Sequence, residues 1–121
     1  MNLQSWLLVG VGGALGSMLR YGVGLALAGV SHFPLATLLV NVLGSMLIVG
    51  VHEKVGAGVW SPELRLLLAT GVMGGFTTYS TFNYDVLMSL SRGAYGQAAL
   101  NVLLTLGGCL MGASLISSKF F

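Results

Sequence analysis

Long apolar stretches separated by short polar turns make up most of this chain. Each stretch is close to the ~20 residues that a helix needs to cross the hydrocarbon core of a bilayer. The four stretches run from about Trp6 to Val30, Pro34 to Val51, Pro62 to Leu90, and Tyr95 to Ser117. The pattern predicts an all-α, polytopic membrane protein with four transmembrane helices, forming a single domain over residues 1–121.

The third stretch contains an unusual polar cluster. Gly74 and Gly75 stand next to each other, and adjacent glycines weaken a helix. After Phe76 come five consecutive hydroxyl-bearing residues, 77–81. At membrane depth, non-helical backbone is tolerated only where it is buried in protein or lines a wet cavity. We therefore expect the third helix to be broken near the midplane, where membrane proteins often hold ions and small substrates.

Composition supports the membrane interpretation and excludes several functions. The chain is 55% hydrophobic and only 7% charged, whereas soluble domains have roughly 25% charged residues. Its five Lys and Arg residues are scattered, so there is no basic patch for nucleic acid. The single Cys109 lies in an apolar run and predicts neither a disulfide framework nor a metal site. With His32 and His52 assigned to loops and no catalytic set or cofactor loop, we expect no enzyme.

The cations do not fix the orientation of the chain in the membrane. Lys54, Arg65 and Lys119 fall on the side of the termini, and Arg92 falls on the other, joined by Arg20 if its side chain extends that way. This is a weak bias under the positive-inside rule. Two alternatives remain open: an ordinary protein with its N-terminus inside, or one that inserts both ways up and pairs antiparallel with a second copy.

Two polar residues inside the first two stretches each have two interpretations. A buried arginine is costly in a membrane, so Arg20 either attracts anions at a pore mouth or extends to the interface. Asn41, one turn after Thr37, either forms a helix–helix hydrogen bond or donates its amide to an anion.

Three further polar residues lie in the last two stretches. Asp85 follows Phe82 by one turn and is either a proton or cation site or a residue at the membrane boundary. Asn101 and Thr105 lie one turn apart and can extend a polar track, although no motif fixes their role.

Three blocks of this sequence resemble the signatures of the CrcB/Fluc fluoride channels. The blocks are Gly12-Gly13-Ala14-Leu15-Gly16 with Arg20-Tyr21, then Thr37-Leu38-Leu39-Val40-Asn41-Val42-Leu43-Gly44, and then Gly71-Val72-Met73-Gly74-Gly75-Phe76-Thr77-Thr78-Tyr79-Ser80-Thr81-Phe82. The resemblance extends to chain length, helix number and motif order, and the third block is the most specific. It implies an antiparallel, dual-topology homodimer with two fluoride pathways and a structural sodium ion at the dimer axis.

The resemblance also implies roles for individual residues. Sodium would be held by the backbone carbonyls of Gly74 and Thr77 in each subunit. The fluoride pathway would use the Asn41 amide, the ring edges of Tyr79 and Phe82, and the hydroxyls of Ser80 and Thr81, with Arg20 near a vestibule. Tyr79 stands where the family most often has Phe, and Asp85 matches an acidic position that is usually Glu.

The implied function is passive, selective export of cytoplasmic fluoride across the inner membrane of a prokaryote, which protects the cell from fluoride. Its partners would be fluoride, the lipid bilayer and a second copy of the chain, with no nucleic acid. One alternative is a proton-coupled exporter of the small multidrug type, but such proteins need a carboxylate in the first helix, and residues 6–30 contain none. A structural membrane subunit is the other alternative, and it would tolerate Asn41→Ala and Phe82→Ile with little effect beyond stability.

Overall fold

The computed structural model describes residues 2–119 as helices joined by short turns, and this range contains no strand. Helix α3 is one helical stretch whose middle has π-helical turns, and α4 follows it after two extended residues. The helices are α1 (Leu3–Ala26), α2 (Leu35–Gly56), α3 (Pro62–Arg65, π-helical Leu66–Met73 and Gly74–Phe76), α4 (Tyr79–Ser91) and α5 (Tyr95–Ile116). By length and composition, α1, α2 and α5 can each cross a membrane. The all-α prediction is confirmed, and α3 with α4 occupies the third predicted stretch.

The helix ends follow local sequence signals. The Asn2 side chain accepts a hydrogen bond from the backbone of α1, and Ser61 does the same for α3, where Pro62 takes the first helical position. Gly93, in the turn between α4 and α5, has a φ of 76°, which favours glycine. Helix α2 continues past the predicted end, so the assignment of His52 to a loop is wrong: His52 is an exposed residue of α2.

Glycines allow α1 and α3 to approach very closely. Gly12 and Gly16 are buried on α1. A Cβ atom added to Gly12 would lie 2.9 Å from the Gly71 Cα atom, and one added to Gly16 would lie 2.8 Å from the Phe76 nitrogen. Small residues permit this kind of backbone contact between membrane helices. The contact fixes the position of α3, and therefore of the residues that follow it.

Helix α5 packs along α2 and also contacts α4. The C-terminal residues are joined to α2 by Glu53, whose carboxylate accepts hydrogen bonds from Ser117 Oγ at 3.1 Å and from the Ser118 N–H at 3.0 Å. Many large apolar side chains remain exposed on the single chain, including Trp6, Leu103 and Leu110. Such surfaces suit lipid or a second copy of the chain.

Candidate functional site

The backbone between α3 and α4 is extended at two residues. Thr77 has φ −86° and ψ 157°, and Thr78 has φ −153° and ψ 118°. The preceding Gly74 and Gly75 are helical. Within the segment of glycines and hydroxyl residues that suggested a break, the extended backbone therefore lies at the first two hydroxyl residues. The N–H and Oγ1 of Thr77 both donate to the Met73 carbonyl, at 3.0 and 2.9 Å, which ends α3.

The Asn41 side chain bonds to both backbone groups of Thr78. Its Nδ2 donates to the Thr78 carbonyl at 3.0 Å, and its Oδ1 accepts from the Thr78 N–H at 2.7 Å. Asn41 is only 8% exposed. The structure therefore shows an interhelical contact of the kind expected for a buried amide. A primary amide has two N–H groups, so the second one can still donate to an anion.

Near the break, two N–H groups bond to acceptors other than the carbonyl groups that they would bond to in a continuous helix. In an α-helix, the N–H of Thr78 would bond to the Gly74 carbonyl and that of Thr81 would bond to the Thr77 carbonyl. Here the Thr78 N–H bonds to Asn41, and the Thr81 N–H bonds to Thr78 Oγ1 at 3.2 Å. Within residues 2–119, the carbonyl oxygens of Gly74 and Thr77 therefore do not receive the N–H groups that they would accept in a continuous helix. Carbonyl oxygens are ligands for hard cations such as sodium.

The rings of Tyr79 and Phe82 form an edge-to-face pair. Their centroids are 5.9 Å apart and their planes are inclined by 67°. Phe82 is 6% exposed, whereas Tyr79 is 73% exposed on the single chain. An aromatic edge is partly positive, so it can face an anion. The pair lines an open cavity of about 410 Å³ with Asn41, Ser45, Thr77, Thr78, Thr105, Leu106, Cys109 and Leu110.

The predicted hydroxyl residues of α4 lie beside the break. Thr78 Oγ1 is 3.3 Å from Ser80 Oγ and donates to Thr81 Oγ1 at 3.2 Å. Ser80 is exposed and Thr81 is half-buried. The three hydroxyls thus form a connected polar group at the start of α4.

Arg20 lies across from the Asn41 cavity, and its side chain is half-buried. The guanidinium Nε donates to the Gly75 carbonyl at 3.1 Å, and a cation near the C-terminal end of a helix is favourable. The other guanidinium N–H groups remain for other acceptors. Arg20 lines a second open cavity of about 440 Å³ with Ser17, Tyr21, Gly24, Leu25, Ala36, Thr37, Val40, Thr78 and Thr81. Thr78 therefore borders both cavities.

Three polar residues whose role the sequence left open are Asn101, Thr105 and Asp85, and the first two lie near the site. The buried Asn101 accepts a hydrogen bond from Thr105 Oγ1 at 3.0 Å, while its Nδ2 is the buried side-chain atom that lacks a partner among residues 2–119. Thr105 lines the cavity of Asn41 and Phe82. The spacing of Asn101 and Thr105 in the sequence marked them as neighbours on one helix. It did not indicate that Asn101 Nδ2 would lack a partner. Asp85 lies elsewhere, in a polar cavity beside the 31–33 turn and Arg92.

Sequence reasoning did not identify Thr78 as a site residue. Its position before α4 is typical of a helix N-cap, and that signal was present in the sequence. The contact with Asn41, 37 positions away along the chain, has no local signal.

Known proteins resemble this chain over most of its length. The family model described as "CrcB-like protein, Camphor Resistance (CrcB)" matches residues 7–116. A protein of Thermus thermophilus named fluoride-specific ion channel FluC is 43% identical, with 96% of this chain and 99% of the relative covered. Proteins of the same name from Rhodospirillum centenum and from a Shewanella species are 48% and 39% identical, covering 91% and 97% of this chain and 93% and 99% of theirs.

These relatives are named as ion channels and not as enzymes, in agreement with the sequence prediction. Together with the membrane-length helices α1, α2 and α5, the match identifies a multi-pass membrane protein. The family model and the relatives each span most of the chain, and the chain therefore belongs to the CrcB-like family.

Proposed function

We propose that this chain is a passive, fluoride-selective channel. The observation that carries the proposal is the near full-length similarity to proteins named fluoride-specific ion channels, at 43% and 48% identity. The donors beside the break support it, because a small anion that loses water needs hydrogen-bond donors in exchange. Such a lining must also bind weakly enough to release the ion, and the cavity of Asn41 and Phe82 contains no fixed cation among its described lining residues.

The proposed anion pathway runs along the residues at the start of α4. The second N–H of Asn41, the ring edges of Tyr79 and Phe82, and the hydroxyls of Ser80 and Thr81 replace the water around the ion. Arg20 raises the anion concentration at the neighbouring cavity, because its charge faces the hydroxyls of that cavity.

A structural sodium ion is also proposed. The free carbonyls of Gly74 and Thr77 suit it, since a hard cation prefers oxygen ligands and both N–H groups that would block these oxygens bond elsewhere. One chain offers two such oxygens, so a second copy would supply the rest. When bound, the ion supplies positive charge that holds two chains together at their broken helices.

The chain would form one channel domain and act as an antiparallel, dual-topology homodimer in the inner membrane. Its exposed apolar faces and its balanced cations are consistent with that assembly. The expected direction of flow is outward, because fluoride trapped in the cytoplasm is at higher concentration than outside.

The decisive test is ion efflux from liposomes that contain the purified protein, measured with fluoride-selective and chloride-selective electrodes. We expect fast fluoride release, negligible chloride release and no effect of a protonophore. Phe82→Ile should abolish most of the flux, whereas Ser91→Ala, an exposed hydroxyl at the far end of α4, should not change it. Equal release of the two halides would contradict selectivity. Release that requires a proton gradient would favour a coupled exporter, and wild-type flux equal to that of Phe82→Ile would favour a structural subunit.

A further inference from the structure

Besides its contacts with the Ser80 and Thr81 hydroxyls, Thr78 makes three hydrogen bonds outside the helix ladder that involve backbone groups. Its N–H and C=O bond to the Asn41 amide at 2.7 and 3.0 Å. Its Oγ1 accepts from the Thr81 N–H at 3.2 Å, so it is the side-chain cap of α4. The backbone and the side chain of Thr78 therefore both stabilise the interruption between α3 and α4.

We propose that Thr78 is a positioning residue for the cation site, and that its hydroxyl keeps the Thr77 carbonyl oxygen available to sodium. The inference rests on the proposed function, because the sodium site belongs to that proposal. Thr78 itself contributes no ligand to the ion. It acts through the neighbouring Thr77, whose oxygen is free only while the Thr81 N–H bonds elsewhere.

The Thr81 N–H group and the sodium ion would compete for the carbonyl oxygen of Thr77. An N–H group without a partner is costly at membrane depth, so the Thr81 N–H must find an acceptor. The cap supplies one in Thr78 Oγ1. Without this hydroxyl, the available partner is the Thr77 carbonyl, which is the acceptor in a continuous helix. Rewinding the break in this way would take the oxygen away from the cation.

The expected size of the effect follows from known helix caps. Removing a threonine cap shifts a helix equilibrium by roughly fivefold, within a range of about two- to thirtyfold. The apparent affinity of a ligand falls in proportion to the fraction of molecules in the binding conformation. The sodium concentration at half-saturation should therefore rise when the hydroxyl is removed, by at most about fivefold, a limit reached when the rewound form predominates.

The experiment is a sodium titration followed by thermal unfolding of the purified, full-length protein. Sodium chloride replaces N-methyl-D-glucamine chloride at constant ionic strength, and the unfolding temperature is plotted against sodium concentration. Thr78→Val removes the cap with little change in volume, and Thr78→Ser restores it. Ser91→Ala is the control, because it removes a hydroxyl at the far end of α4 that bonds to the Met88 carbonyl and not to Thr78.

We expect the midpoint of the sodium dependence to rise in Thr78→Val, by at most about fivefold, and to stay at the wild-type value in Thr78→Ser and Ser91→Ala. If Thr78→Val lowers the unfolding temperature equally at every sodium concentration, the cap is only structural and the inference is wrong. If the valine variant does not fold, Thr78→Ala is titrated instead, and the same shift is required of it.

Liposome efflux separates this inference from the proposed function. Selective fluoride release by the wild type, together with an unmoved midpoint in Thr78→Val, would refute the positioning role alone. A wild type whose unfolding temperature does not respond to sodium would refute the sodium site and this inference, but not the fluoride pathway. Equal fluoride and chloride release would refute the channel proposal, while the titration would still report on Thr78.

Discussion

The close approach of α1 and α3 at Gly12 offers a sharp test of the fold. An added Cβ at Gly12 would lie 2.9 Å from both Gly71 Cα and Val72 N, and closer still to the Leu67 carbonyl oxygen. Ordinary contact begins at 3.4 Å, so the helices would have to separate by about 0.5 Å at these two atoms alone. All of the neighbouring atoms belong to backbone, which cannot rotate away. We therefore expect Gly12→Ala to destabilise the protein.

Gly10→Ala is the matched control on the same helix. A Cβ at Gly10 would meet nothing within 4 Å. Both substitutions gain the same helix propensity, at most about 1 kcal/mol. The difference in stability between the two variants therefore measures the cost of the steric clash at Gly12. Overpacking of this kind costs about 1–3 kcal/mol. The unfolding temperature falls by roughly 2–8 °C for each kcal/mol in domains of comparable size.

The assay is thermal unfolding of both purified variants in the same detergent, followed by fluoride efflux from liposomes. Gly12→Ala should unfold at a lower temperature than Gly10→Ala by several degrees. It should also lose flux, because α1 carries Arg20, whose bond to the Gly75 carbonyl depends on the spacing of the two helices. Equal stability of the two variants would show that α1 and α3 do not pack through Gly12.

Three further predictions concern the site. Tyr79→Phe should keep fluoride efflux within about twofold, because the exposed Tyr79 retains its ring edge without the hydroxyl; a loss as large as that of Phe82→Ile would assign the pathway to the hydroxyl instead. Asn41→Leu should lower stability by about 1–3 kcal/mol, since it removes two interhelical hydrogen bonds, whereas Asn101→Leu should cost less, because it removes one hydrogen bond, from Thr105 Oγ1, and with it the unpaired Nδ2. Chemical denaturation of the two leucine variants checks this, and the opposite order would contradict it. Arg20→Gln should slow fluoride efflux more at about 10 mM than at about 150 mM salt, because added ions screen its charge; a reduction independent of salt would indicate a packing role.

The helices were predictable because the length of each apolar stretch is enough to identify a membrane-spanning helix. The third stretch was harder, since periodicity does not reveal the π-helical turns Leu66–Met73. Gly75 was interpreted as a helix weakener, yet it is helical and its missing side chain leaves room for the backbone and side chain of Ser17. In a membrane a glycine contributes as much to contact between helices as to breaking one.

The candidate site residues were named from motifs that resemble those of a family, but the contacts between them were not predicted. Asn41 had two possible roles because a sequence does not show which residues of distant helices lie opposite each other. Its bonds to Thr78 depend on how α2 packs against the end of α3, which is fixed by tertiary contacts. The same limit applies to Arg20, whose partner proved to be the Gly75 carbonyl and not an acidic side chain.

These contacts share one physical cause. A helix that stops inside a membrane leaves N–H and C=O groups that lipid cannot satisfy. In this chain two of the donors at the break, the N–H groups of Thr78 and Thr81, bond to Asn41 and to Thr78 Oγ1, while the Gly75 carbonyl accepts from Arg20. These two N–H groups are therefore not available to the carbonyls of Gly74 and Thr77, their acceptors in a continuous helix. Under the proposed function, carbonyl oxygens left without these donors would bind sodium, and the second amide N–H of Asn41 would donate to fluoride. One interruption would then serve two ions of opposite charge because side chains bond first to the two N–H groups.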